Sequence, residues 1–355
     1  MWKLERELCR VAMQAAQVHW YIFGWAMKWH YDRTKNRKIK LTAGTLPIQR
    51  DVSVVLIYQP TGILPSLIKS LQHLRDNGFA PVVVSNAPLK ANDLEILRQH
   101  SFLVMQRPNF GYDFGGYRDA ILHLLESGLR PDNLLVMNDS IWFPLTSESE
   151  IASQIRAQRS DMYGIVLAER PAEPHRTHLQ SYMFSFKKRL VEHEDFERFW
   201  RDLPVSSNKH VVIRRCEMRM THAFKKNGHT IGHLHTFNDV KVALKSLDSA
   251  ELRRIIAYQI QVDTSNSGPL RPFLDEDCIG STWRSSVESF IDKDALGKYF
   301  LIAHPIVLKG KLGLQILKKD KQPMYQLQRR ELFACGLSDS LCPEIRKEME
   351  TWDQN

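Results

Sequence analysis

Cysteine is scarce and poorly spaced for any structural role. The 355-residue chain has five, Cys9, Cys216, Cys278, Cys335 and Cys342, and no CxxC pair. A disulfide framework or a zinc knuckle is therefore not expected, and a reducing cytosol fits this usage. Long apolar runs are also missing. The most hydrophobic stretch, Val18–Trp29, falls well short of the roughly 20 residues a helix needs to span a bilayer. Charges at Lys3, Glu5, Arg6, Glu7 and Arg10 come too early for a secretory leader, and no small-residue cleavage site follows an apolar core. The sequence lacks a GKS or GKT phosphate loop, internal repeats and low-complexity tracts. Zinc-finger spacing, a recognition-helix signature and aromatic RNA-binding motifs are missing too, so nucleic acid is not an expected partner. What is present is an ordinary globular balance, 43% hydrophobic and 25% charged. Basic residues outnumber acidic ones 49 to 40, a net +9 that favours anionic partners.

The chain reads as three parts. Residues 1–48 form an amphipathic and basic N-terminal extension. Its aromatic stretch Val18–Trp29 runs into Arg33, Lys35, Arg37, Lys38 and Lys40. Aromatics beside a basic cluster suit an anionic membrane surface, where each cation adds about 1 kcal/mol. The plainer reading is a helix packed on the body, followed by a solvated basic linker. Residues 49–245 alternate strand and helix. Val52–Tyr58, Pro81–Ser85, Phe102–Gln106 and Asn133–Asn138 are short β-branched or apolar runs that predict buried strands. Helical spacing predicts helices over Leu64–Arg75, Asp93–Gln99 and Tyr117–Glu126 between them. Met162–Ala168 and Leu179–Phe186 read as further strands, and Leu190–Arg201 and Glu217–Lys226 as helices. This is an α/β fold with a mostly parallel sheet, whose ligand belongs at the carboxyl ends of its strands. Residues 246–355 predict a mainly helical C-terminal extension containing a basic stretch, Lys309–Lys321.

Four motifs fall where chemistry is expected. Arg107–Asp119 (RPNFGYDFGGYRD) follows the third strand and opens a helix at about Gly115. Its glycines permit close backbone approach, and a helix N-terminus offers free N–H groups to phosphate or sugar oxygens. Asp113 is placed either to accept sugar hydroxyls or simply to cap the helix. Asn138-Asp139-Ser140 closes the fourth strand, where Asp139 can hold a divalent metal, Mg²⁺ or Mn²⁺, against a diphosphate or can serve as a turn former. Strand alternation puts His178, Gln180 and Tyr182 on one face, suited to hydroxyl recognition. Glu217, in the first turn of its helix, either steadies the helix dipole or acts as a general base, with His178 the competing base.

In this order the motifs resemble the rhamnan synthesis protein F family of glycosyltransferases. The matching stretches are Pro81–Asn86, Arg107–Ile121, Leu134–Leu145, His178–Phe186, Phe196–Trp200 and Cys216–Gly228, within about residues 50–240. The resemblance implies a GT-A-like mixed, mostly parallel sheet flanked by helices. It implies inverting transfer of L-rhamnose, from a dTDP donor, to a growing lipid-linked polysaccharide at the inner face of the plasma membrane. It places Glu217 as the acceptor-activating carboxylate and Asp139 where related enzymes put an Asp-x-Asp metal motif. This chain departs from those patterns with Asn138 and Met218. Named with them as substrate-binding positions are Asn86, Asn109, Gly111, Asp113, Gly115, Gly116, Arg118, Asn138, Asp139, Gln180 and Ser181. Arg118, Arg214 and Arg215 are candidates to neutralise the leaving diphosphate. The rival reading is a catalytically silent glycan-binding or scaffold subunit of a polysaccharide assembly complex. The oligomeric state is left open.

Overall fold

The computed structural model describes residues 24–170, 173–264, 267–275, 281–294 and 299–354. Its strands are β1 (Lys40–Ala43), β2 (Asp51–Ile57), β3 (Phe79–Ser85), β4 (Leu103–Gln106), β5 (Asn133–Asn138), β6 (Ile141–Trp142), β7 (Met162–Ala168), β8 (His178–Leu179), β9 (Met183–Lys187), β10 (Ile231–Thr236) and β11 (Leu317–Lys318). Helix α1 covers residues 24–34. The first half of the chain then contains α2 (Pro65–Asp76), α3 (Ala91–Gln99), α4 (Tyr112–Glu126) and α5 (Ile151–Ala157). Next come α6 (Lys188–Val191), α7 (Glu194–Asp202), α8 (Lys209–Val212), α9 (Met218–Lys226) and α10 (Phe237–Lys245). The remaining helices are α11 (Ser249–Val262), α12 (Pro272–Asp275), α13 (Ser281–Asp294), α14 (Pro323–Ala334) and α15 (Pro343–Trp352).

The main sheet runs β1-β4-β3-β2-β5-β9-β7-β10, with β8 added on β7. The block β4-β3-β2-β5 is wholly parallel. β1, β9 and β8 are antiparallel to their neighbours, and β10 is parallel to β7. All seven residues of β2 and of β3 are buried, as their β-branched runs require. Alternation along β2 sends Val55 and Ile57 into one core, shared with Leu67, Leu71 and Leu74 of α2. Val54 and Leu56 enter the other, shared with Tyr117 and Ile121 of α4, Trp200 of α7 and Phe224 of α9. The sheet is therefore covered on both faces. The chain proceeds from β2 outward to β3 and β4, then returns across β2 to place β5 on its other side. That reversal makes the β2/β5 junction a topological switch point, where the carboxyl ends of parallel strands leave a crevice.

Several sequence expectations change. The strand expected over Leu179–Phe186 is two pieces, β8 and β9, with a turn at residues 181–182 between them. The helix expected to begin at Glu217 begins at Lys209 instead, capped by Asn208, whose side chain accepts from the His210 and Val211 amides. It continues through a π-helical turn, Ile213–Glu217, into α9. The segment after residue 246 also joins the cores of the main body. Leu252, Ile256, Val287 and Val307 pack in the core that holds Val55 and Val83. β11 pairs with β6, and Trp142 and Leu145 share a third core with Leu317, Leu332 and Ile345.

At the other end, β1 extends the sheet edge, so part of the expected basic linker is strand. The aromatic stretch lies outside the described residues up to Phe23. Beyond it, Trp25 and Trp29 are exposed and Arg33 stacks over Trp29. Among the described residues no helix is long and apolar enough to cross a membrane.

Candidate active site at the switch point

A cavity of about 490 Å³ opens at the carboxyl end of β5. Its wall is built from the start of α4, the turn after β5, the β8–β9 turn, the π-helical turn and the segment around β11. Each piece has a local cause. Gly111 takes the left-handed conformation at φ 82° and turns the chain into α4. Tyr112 follows at φ 49°, an unusual backbone for a residue with a side chain, and its hydroxyl donates to the Ser207 carbonyl. α4 thus starts three residues earlier than its sequence suggests, and Gly115 and Gly116 lie inside it. A Cβ on Gly115 would collide with the Phe110 carbonyl, and one on Gly116 with Leu56 of β2. These glycines let the helix sit down on its own entry loop and on the sheet. They stand behind the cavity and do not line it.

Asp113 does line the cavity. It makes no capping hydrogen bond; its Oδ2 accepts from Asn138 Nδ2 at 3.0 Å. Asn138 Oδ1 in turn accepts from the Ser140 hydroxyl, and Ser140 Oγ accepts from Lys318 Nζ at 2.7 Å. An unbroken hydrogen-bonded chain therefore joins an ammonium on β11 to a carboxylate on α4. It explains the asparagine at 138: the position must donate to Asp113 and accept from Ser140, which an ionised aspartate cannot do. Burial pushes the Asp113 carboxyl above its usual range. Lys318 offsets part of this, while Asp139 and Glu217 add to it.

Glu217 closes the π-helical turn and faces the same cavity, its Oε1 accepting from the Ser181 amide at 3.1 Å. Short π-helical insertions recur at functional sites because they re-aim side chains. The side-chain oxygens of Gln180 and Tyr182, both in cavity-lining residues, are buried without a hydrogen-bond partner. Buried polar atoms left in this state mark positions that a ligand can satisfy.

Asp139 ties the switch point together. Its Oδ2 accepts from the Tyr58 amide at 3.0 Å and from Gln59 Nε2 at 3.1 Å, and its own amide donates to the Leu56 carbonyl. Burial raises its carboxyl, with the Tyr58 N–H and then Lys319 pulling it back. A lone carboxylate with one oxygen already bound by two N–H donors does not fit a resident divalent ion, which takes several oxygen ligands. Among the described residues, the sets of three ligand groups close enough to share an ion lie elsewhere. They are His193, Asp195 and His229, and His304, Glu331 and Cys335.

A sequence profile described as rhamnan synthesis protein F matches residues 81–248. The uncharacterized protein y4gN of Sinorhizobium fredii is 33% identical over 361 aligned positions, covering 99% of this chain and 92% of that one. The chain belongs to the rhamnan synthesis protein F family. Virulence protein VirA of Vibrio anguillarum is 27% identical over 179 residues, 49% of this chain and 55% of VirA. Among solved structures, a mannosyltransferase from Pyrobaculum calidifontis in complex with GDP-Man and Mn²⁺ aligns at 10% identity and a TM-score of 0.32. It covers 97% of this chain and 95% of its own, and an alignment that loose assigns neither fold nor site.

The family motifs divide between the cavity and its supports. Asp113, Asn138, Gln180, Ser181 and Glu217 come together at the wall. Asn86 is buried behind it, accepting from Arg107 Nη1 and donating to the Tyr112 carbonyl. Arg118 is spent on a two-pronged pair with Asp32 and a bond to the Trp200 carbonyl. Asn109 and Arg214 are exposed away from the cavity, and Arg215 lines a separate depression with Arg198 and Arg219. The broken β8–β9 strand separates His178 from Gln180 and Tyr182. His178 does not line the cavity, and its Nδ1 lies 2.7 Å from the Arg176 carbonyl. The cations at the cavity are instead Lys209, Lys318 and Lys319, joined by Asp320, Tyr299 and Tyr325. All but Lys209 follow residue 248, where the family profile ends. The signal for Lys318 and Lys319 was the basic stretch Lys309–Lys321 beside no recognisable motif.

Proposed function

We propose that this chain is an inverting glycosyltransferase that takes a sugar from a nucleotide diphosphate donor and passes it to a glycan acceptor. The observation that carries the reading is the convergence, in one cavity at the switch point of a family member, of Glu217, Asp113, Lys318 and Lys319. In this mechanism the acceptor hydroxyl gives its proton to Glu217 while its oxygen bonds the anomeric carbon. The carbon's bond to the diphosphate breaks, and the electron pair leaves with the diphosphate. One carboxylate suffices, since single displacement needs a base but no covalent nucleophile. The Ser181 amide bond to Glu217 fixes the carboxylate's direction. Asp113 accepts sugar hydroxyls, as does Gln180 through its unpartnered oxygen.

The family supports L-rhamnose as the sugar, dTDP as its carrier and a growing cell-surface polysaccharide, lipid-linked at the inner membrane face, as the acceptor. Trp25 and Trp29, with the exposed Arg33, Arg37, Lys38 and Lys40, supply the aromatic and basic groups of a peripheral membrane contact. Lys35 is not available for it, being paired with buried Asp119 at 3.0 Å. The test is turnover of a panel of nucleotide-sugars, dTDP-L-rhamnose included, read as release of the nucleoside diphosphate with and without a glycan acceptor. A protein that binds donors but never releases the diphosphate is a binding subunit, not a transferase.

A further inference from the structure

β11 lies antiparallel to β6, immediately beyond the Asn138-Asp139-Ser140 turn, with Lys318 opposite Ile141 and Leu317 opposite Trp142. The Lys319 amide continues the pairing by donating to the Ser140 carbonyl. The strand is thus clamped against the motif that ends β5, and Lys318 and the following Lys319 meet different fates. Lys319 is neutralised within the protein. Its ammonium bonds Ser66 Oγ at 2.6 Å, lies 3.3 Å from Glu348 and sits over the Trp142 ring. Glu348 is itself held by the Trp142 indole and the Ser66 amide. Lys318 has no carboxylate within 4.0 Å among the described residues. Its hydrogen-bond partner is the neutral Ser140 hydroxyl, and its ammonium lies 5.9 Å from the centre of the Tyr182 ring. Lys318 is half-buried at the cavity wall, with Asp113, Glu217 and Asp320 near enough to attract it but none in contact, so part of its charge is left for an anion entering the cavity. Asp139, the other candidate to organise a diphosphate, already has one carboxylate oxygen taken up by Tyr58 and Gln59.

We propose that Lys318 is the diphosphate receptor of this site, its ammonium doing the work that a bridging divalent cation does in metal-dependent transferases. This rests on the nucleotide-sugar reading above. The ammonium meets the phosphate oxygens through charge-assisted hydrogen bonds and offsets the charge that arrives there when the bond to the sugar breaks. No proton need leave Lys318, because the acceptor's proton goes to Glu217. The segment beyond the family profile is then part of the donor site.

The experiment titrates the full chain with dTDP, UDP and GDP by calorimetry, in EDTA and then with Mn²⁺ or Mg²⁺ added. The account expects one of the diphosphates to bind in EDTA with little gain from metal. Lys318→Gln should weaken that binding roughly ten- to a hundredfold, the size of a lost charged hydrogen bond. Lys318→Arg should recover part of it, with melting temperatures confirming that both variants fold. Binding by the wild-type chain that requires a metal overturns the proposal without any variant, and so does wild-type affinity in Lys318→Gln; either leaves the nucleotide-sugar reading standing. A chain that binds none of the three under either condition removes that reading, and this proposal with it.

Discussion

Arg107 and Asp119, both inside the glycine-rich motif, show how much of a functional-looking sequence can be support. Arg107 donates to Asp119, Asn86, the Tyr31 hydroxyl and the Phe110 carbonyl, all within the protein. Asp119 also accepts from the Tyr31 hydroxyl and from Lys35. Burial alone would raise the Asp119 carboxyl, but Arg107 and Lys35 beside it hold it below the usual value of 3.8. A depressed carboxyl contributes stability above its unfolded value and loses that contribution as pH falls through the folded one. Asp119→Asn strips one partner from a buried pair and should cost about 3–5 kcal/mol at neutral pH. In urea melts the gap between wild type and variant should narrow as pH falls below 3.8 and through the lower value of the folded carboxyl. A gap that stays constant would mean the ion pair contributes nothing. The sequence made such residues visible as a motif but could not divide it. Asp113 and Asp119 look alike on paper, yet one faces the cavity and the other the guanidinium behind it.

At the scale of elements, legibility followed burial. β2, β3 and β5 were readable because β-branched or apolar runs buried on both faces leave few alternatives. The His178–Tyr182 alternation misled because residues 181–182 turn, and a turn undoes any shared face. The π-helical turn was invisible, since an added residue in a helix leaves no periodic trace in so short a segment. The start of that helix at Asn208 did have a signal, an N-cap asparagine. β11, only two residues long, was beyond any period argument. The twin glycines illustrate the same division between support and site. If Gly115 serves packing of α4 on its entry loop, Gly115→Ala must displace the Phe110 backbone. That overpacking should cost about 1–3 kcal/mol. Melting temperature should fall while donor affinity, measured below the new melt, changes little. An alanine variant of normal stability that fails to bind donor would restore the glycine to the ligand.

Across the whole molecule, α1 and the segment after it carry exposed aromatic and basic residues that do not line the cavity. The membrane contact proposed for α1 depends on Trp25 and Trp29, which are 72% and 55% exposed. Replacing both by alanine should reduce co-flotation with vesicles containing anionic lipid, and added salt should reduce it further by screening the basic residues. Equal flotation of wild type and double variant would assign the tryptophans another role. α1 is joined to the site's support by the Tyr31–Asp119–Arg107 bonds and by Asp32 against Arg118. A protein anchored there would hold its donor cavity at a fixed orientation to the surface carrying the acceptor.

The central claim is that Glu217 takes the acceptor proton. The most direct measurement compares Glu217→Gln with wild type for both transfer rate and donor affinity, using whichever nucleotide-sugar the panel identifies. Glutamine keeps the shape and can still accept from the Ser181 amide, but it has no basicity. The account predicts transfer lowered about 10²–10⁴-fold with donor affinity nearly unchanged. Near-normal transfer by Glu217→Gln would contradict it.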